Sequence, residues 1–306
     1  MITILLNNDN PAPSILGVNS LLQVSASGAF SFDDTNGICY CAIECEYREL
    51  VFAEIGGESY KNDFSSFLFR KVDSSDIINF ELFKNGSKVA DLNDNTLGTY
   101  YPSFASQPLQ TGFILSWENV LSVHGAGIYC VKVLQTILGE NNTFESRLFQ
   151  LKPYSDRSAN RTVAIKGVQT GDIEGSRFVF RDLLPGGWPF YVRVRGYFQE
   201  VEPEIIKDFV KDSENKIIQR YDQLIKKYVL DIYQAPKSVL NLFLNGEISL
   251  ANNIFVTDYN IKNTEILRNI EVDNQNIGYD PLKNQLKQEM RLEFNARSQN
   301  LVTRNY

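Results

Sequence analysis

At 306 residues and 34.8 kDa the chain is long enough for about two domains, each able to bury a core without staples. Its 43% hydrophobic and 22% charged residues exclude wholesale disorder. The net charge of -7 and pI near 5.0 argue against general nucleic-acid binding, which needs a face rich in Lys and Arg, but leave room for a local basic patch.

The opening Met1-Ile2-Thr3-Ile4-Leu5-Leu6 lacks a positively charged leader, and its apolar run is too short for a signal core. Nothing later approaches the roughly 20 apolar residues of a membrane span, so a soluble product made in the cytosol is expected. Leu22, Val24 and Ala26, then Phe30 and Phe32, alternate as in a bent strand or hairpin. Ile38 to Tyr47 reads as a strand that turns Cys39, Cys41 and Cys45 to one face. Zinc prefers paired C-x-x-C knuckles, and only Cys130 and the single His124 remain as further ligands, so reduced buried thiols are expected and no metal is assigned.

Leu50 to Ile55 and Phe64 to Lys71 are further strands. Ile77 to Lys84 and Ser87 to Leu92 flank Asn85-Gly86, the pair that supplies both positive-φ residues of a type I′ turn, which predicts a hairpin. Asp91 to Gly98 spaces oxygen ligands like a calcium loop, but glycine comes at position 8 and Pro102 stands at position 12, so a plain turn is expected. Thr111 to Trp117 is a strand, and His124 to Val133 a corner entering another. That corner is similar to the tyrosine corner of immunoglobulin-like sandwiches, with Tyr129 directly before Cys130.

Pro153 to Asn160 is a polar loop between strands at Arg147 to Lys152 and Thr162 to Gly167. A strand over Phe190 to Phe198 follows the long segment Gln169 to Pro189. Val201 to Lys211 has Pro203 near its first turn and Ile205, Ile206 and Phe209 on one helical face, which predicts a short helix. Residues 216–233 fit both a helical period and alternation; strands on either side of Asp222-Gln223 are favoured. Pro236 to Leu244 reads as a second short helix. Asn253 to Asn260, Glu265 to Val272 and Leu286 to Ala296 complete the strands. The fold class is therefore mainly β: two β-sandwich-like domains, residues 1–152 (immunoglobulin-like) and 153–306, with one or two short helices in the second.

No reacting group stands out. A His-based triad would have to use His124, which lies in a glycine-flanked turn with no G-x-S-x-G nearby, and phosphate-loop glycine patterns are absent. The carboxylate pairs Asp172 with Glu174 and Glu202 with Glu204 could serve a glycan hydrolase, but exposed acidic pairs are usually just solvated. Tyr100, Tyr101, Trp117, Trp188 and Phe190 could form a sugar platform, against which sheet-core packing is the plainer reading. Sequons at Asn85, Asn141 and Asn160 carry little weight in an Asn-rich chain with no leader. No catalytic, cofactor-binding or metal residue is assigned.

Three stretches carry a resemblance: Arg147-Leu148-Phe149-Gln150-Leu151-Lys152-Pro153-Tyr154-Ser155; Thr162 to Gly167 with Arg193-Val194-Arg195-Gly196; and Phe255-Val256-Thr257-Asp258-Tyr259-Asn260. Together they resemble tail structural proteins of crAss-like phages, which infect Bacteroidetes. The resemblance covers mainly residues 145–260 and implies a non-enzymatic virion protein of the tail, made in the host cytoplasm. It implies a homo-oligomeric ring of about twelve subunits in the tail barrel or adaptor below the portal, in contact with neighbouring ring, portal or hub proteins. DNA could pass through its lumen without being read by sequence. The alternatives are a carbohydrate-binding β-sandwich module and a tail-associated glycan hydrolase. Expected contacts between copies are the arm Met1 to Pro13, the loop Thr170 to Pro189 and the tail Ser298 to Tyr306.

Overall fold

The computed structural model describes residues 15–16, 23–26, 48–71, 74–75, 77–137, 140–146, 148–159, 161–172, 179–200, 204–211, 213–225, 227–235, 251–257, 268–272, 288–296 and 302–305. The first half contains β1 (Ile15–Leu16), β2 (Gln23–Ala26), β3 (Arg48–Ala53), β4 (Phe64–Arg70), β5 (Ile77–Lys84), β6 (Ser87–Leu92), β7 (Ser103–Gln107), β8 (Gln110–Ser116), helix α1 (Trp117–His124), β9 (Gly127–Ile137), β10 (Glu140–Glu145) and β11 (Leu148–Pro153). The second contains the single-turn α2 (Asp156–Ala159), β12 (Thr162–Gln169), β13 (Trp188–Glu200), β14 (Glu204–Lys211), β15 (Ile217–Ile225), β16 (Lys227–Ala235), β17 (Asn253–Val256), β18 (Arg268–Val272), β19 (Gln288–Ala296) and β20 (Val302–Asn305). Among the described residues no helix is long and apolar enough to cross a membrane. The chain is mainly β, with sandwich-like packing.

Two sheets face each other in the first half: β1-β4-β8-β7, and a seven-stranded sheet built on β9. Phe67, Phe69, Phe113 and Leu115 from the smaller sheet meet Phe80, Leu82, Val131, Val133 and Phe149 from the larger one. Strand alternation explains the division of labour: Leu68 and Ile114, one position out of step, point the other way and join the second core. All seven residues of β8 are buried, as expected of a layer covered on both faces. Gly112 sits where β8 crosses β4 so closely that a methyl group would strike the Phe67 carbonyl oxygen.

The second core lies in a closed barrel of β12-β13-β16-β19-β18-β17. Trp188, Phe190, Val192, Val194 and Phe198 alternate inward along β13, and Val163, Ile165, Tyr228, Leu230, Ile232, Ile254 and Val256 complete the described filling. The second half thus closes its main sheet on itself rather than stacking two open ones. Phe180 and Leu183, from the segment between β12 and β13, are buried in the same core as Leu68, Ala105 and Ile114 of the small sheet.

Several expectations are met. Asn85 (φ 49°) and Gly86 (φ 85°) form the turn of the β5–β6 hairpin. Tyr129 donates to the Gly125 carbonyl at 2.5 Å, a tyrosine-corner bond back to the chain upstream. Other readings are corrected. Where a helix was expected over Val201 to Lys211, the described part, Glu204–Lys211, is strand β14, since β-branched Ile205, Ile206 and Val210 find a partner in β15 and ladder pairing overrides a weak helical period. Strands do occupy residues 216–233, but Asp222 and Gln223 lie inside β15 and the interruption falls between Ile225 and Lys227. Helix α1 fills the stretch between the strand expected to end at Trp117 and the corner expected from His124. Ser116 caps it by accepting from the Asn119 N–H, Glu118 lies in its first turn, and Gly125 (φ 75°) ends it. The strand expected over Ile38 to Tyr47 and the helix expected over Pro236 to Leu244 lie outside the described residues.

Candidate functional site

The two halves meet along the outer face of β13. Between inward Val192 and Val194, Arg193 points out of the barrel and forks onto Asp63, with Nε 2.7 Å from Oδ2 and Nη2 2.6 Å from Oδ1. Its Nη1 donates to Thr162 Oγ1 at 2.9 Å, its backbone N–H donates to Glu49 Oε1 at 2.9 Å, and its guanidinium covers the Phe52 ring at 5.1 Å. Asp63 also accepts the Phe52 N–H. The pair is dry, with side chains 2% and 10% exposed, and a bidentate, fully hydrogen-bonded fork is the geometry in which attraction offsets desolvation. The loop before Asp63 is held by Glu118 of α1, which accepts from the Gly56 N–H and from Asn62 Nδ2.

Two clefts flank this junction. One, of about 460 Å³, lies between Val51, Asp63 and Phe64 on one wall and Lys166, Tyr191 and Arg193 on the other. Lys166 is flanked across the ladder by Tyr191 and Phe255, with its ammonium 5.6 and 5.8 Å from their ring centroids, and burial lowers its pKa. Burial also pushes the Tyr191 hydroxyl up to about 12. The other cleft, of about 410 Å³, is lined by Lys152 at the end of β11, Arg157 in α2, Arg161 before β12 and Arg195 on β13, over a floor that includes Leu50 and Phe52. Its four cations come from the linker between the halves and from the strand that carries Arg193. Nothing in the sequence reading assembled them; the available signal was the spacing Lys152, Arg157, Arg161 and the alternation Arg193, Arg195.

Among the described residues, those weighed from sequence do not gather into a site. His124 ends α1; its Nε2 lies 3.2 Å from the Tyr100 hydroxyl with the rings stacked, and burial, then the Lys84 charge, lowers its pKa. Tyr100, Tyr101, Trp117, Trp188 and Phe190 are all buried in the two cores, so they present no sugar platform. Asp172 accepts the backbone N–H groups of Phe180 and Arg181, and the Arg181 bond foremost holds its carboxyl below the usual range; Glu174 and Glu202 lie outside the described residues. Of Asp91 to Gly98, Asp91 and Leu92 end strand β6 and the rest is a turn built on Asn93 and Thr96. Asn85 accepts the Ile128 N–H, Asn141 lies in β10 opposite Thr136 of β9, and Asn160 is not described. Burial pushes the Cys130 thiol up to about 11; Cys39, Cys41 and Cys45 are not described. Among the described residues no three His, Cys, Asp or Glu side chains come together as a metal site.

Two of the three expected contact segments have internal roles. Val302–Asn305 of the tail pairs with β15, and the loop before β13 is tied to β8 by bonds between Gln110 and Val179 in both directions. The arm Met1 to Pro13 is not described. An unforeseen element takes their place: β14 and β15, between β13 and β16 in the chain, pair as a ribbon of about 27 Å, eight residues at the rise of a strand, in a sheet with β20. β20 pairs with β15 over Tyr221–Leu224, so the outer part has two strands among the described residues. There Phe209 is 53% and Ile217 63% exposed, with Val210 also exposed.

No protein-family model matches the chain, and no curated protein matches it. Among solved structures, one from Bacteroides ovatus titled as structural genomics, unknown function, is similar at 9% identity, covering 85% of this chain and 98% of its own, with a TM-score of 0.16. A likeness that slight carries no argument about fold or function.

Proposed function

We propose that this chain is a structural subunit of a phage tail, a non-enzymatic protein that assembles with copies of itself into a ring of the tail barrel or adaptor below the portal. The observation that carries the reading is the β14–β15 ribbon. A two-stranded hairpin is at best marginally stable in water, and the outer part of this one, beyond the reach of β20, displays Phe209, Val210 and Ile217 with no further strand along it among the described residues. Such an element gains stability when a neighbour covers it. A contact between unlike surfaces of identical subunits closes into a ring when its rotation allows. The resemblance of residues 145–260 to tail proteins of crAss-like phages supplies the phage tail as the setting, with neighbouring ring, portal or hub proteins as further partners and the virion as the location.

The test is mass photometry with negative-stain imaging of the purified chain at micromolar concentration. Annular particles are expected from the native sequence, and subunits with unchanged circular dichroism from the double variant Phe209→Asp, Ile217→Asp, because both side chains already face water. A native chain that stays monomeric when concentrated would sink the proposal. Rings formed equally well by the double variant would remove the ribbon as their contact.

A further inference from the structure

The basic cleft stands against the charge of the molecule that carries it. A chain with net charge -7 places Lys152, Arg157, Arg161 and Arg195 around one cavity of about 410 Å³. All four side chains are exposed at its rim, and none is paired with a carboxylate among the described residues. Four like charges around one concavity make a local positive field on a chain of negative net charge, which attracts anions to it.

The architecture holds these cations in place. Arg195 projects from the outer face of β13 two positions beyond Arg193, whose fork onto Asp63 fixes that stretch of strand. Across the ladder it faces Thr162, whose hydroxyl receives Arg193 Nη1 and donates to the Ala159 carbonyl, so α2 is fastened to the same point. Arg161 is anchored through its carbonyl, which accepts the Gly196 N–H. Lys152 is held in β11 by parallel pairing with β3. Three of the four are arginines, whose planar forks match phosphate oxygens two at a time.

We propose that this cleft binds a compact polyphosphate group. The phosphate class follows from the density of guanidinium groups. Compactness follows from their arrangement around a cavity in the range of small-molecule sites, instead of along an extended stripe that could track a nucleic-acid backbone. The proposal does not depend on ring assembly, and a monomeric chain would bind equally well.

The experiment is isothermal titration of the full chain with inorganic pyrophosphate and tripolyphosphate at low salt, with citrate and a single-stranded DNA oligonucleotide as comparison ligands. Pyrophosphate is expected to bind one per chain, more tightly than citrate. Affinity should fall roughly tenfold for each of Arg157→Gln and Arg195→Gln, as charge-assisted bonds are lost. Lys211→Gln, on the distant ribbon, should leave it unchanged. Both arginines are exposed, and melting curves of the unliganded variants check that they fold. The proposal is overturned if pyrophosphate fails to bind, if it binds no better than citrate, or if the two arginine variants bind it like the native chain. DNA bound more tightly than pyrophosphate, and lost in the same variants, would also overturn it in favour of an extended backbone.

Discussion

At the scale of single residues, His124, weighed from sequence as a chemical group, has structural partners. His124 closes the last turn of α1, stacked on Tyr100, with Lys84 Nζ donating to its carbonyl. Burial and that ammonium hold its native pKa below the ordinary value near 6.5. Between the two values the unfolded chain binds the proton more tightly, so stability falls as pH drops through this window and is unaffected by His124 above it. Between pH 7 and pH 5 the native protein should therefore lose more melting temperature than His124→Gln. Parallel curves for the two proteins would refute this. None of this environment could be read from the sequence, because Tyr100 and Lys84 reach His124 through tertiary packing alone.

At the scale of elements, legibility followed how local the determining interaction was. The β5–β6 hairpin was readable because Asn85-Gly86 carries its own backbone preference. The ribbon strand β14 was not: Pro203 and the spacing of Ile205, Ile206 and Phe209 imitate a helix, and only the partner strand β15 decides against it. Helix α1 lay between two strand readings, although Ser116, Glu118 and Gly125 are legitimate start and stop signals, because Trp117, Val120 and Val123 look like strand residues. Gly196 marks another element-level constraint. It lies on β13 where β16 crosses, and a methyl group there would collide with the Asp231 carbonyl oxygen. Gly196→Ala should cost about 1–3 kcal/mol through forced displacement of the ladder, measurable as a lower urea midpoint. An unshifted midpoint would mean that the strands separate there without cost.

At the scale of the whole molecule, the two cores share one sheet. Strands β4 and β8 give Phe67, Phe69, Phe113 and Leu115 to the sandwich core and Leu68 and Ile114 to the barrel core, so neither core can be stripped without exposing the other. A division at residue 152 follows the chain, but the apolar packing crosses it. The Asp63–Arg193 fork spans the same seam. Asp63→Ala leaves a buried guanidinium without its carboxylate and should destabilise the protein by about 3–5 kcal/mol. Asp63→Leu combined with Arg193→Met should lose less than the sum of the separate changes, and urea unfolding of all four proteins measures the coupling. Strict additivity would show that the fork contributes nothing across the seam.

The strand from Trp188 to Glu200 is one continuous beam. It is clamped at Arg193, it holds Arg195 over the cationic pocket, and its far end leads along the chain to the ribbon. One strand thus carries the seam, the cationic pocket and the approach to the ribbon, and a substitution that bends it is felt at each of them.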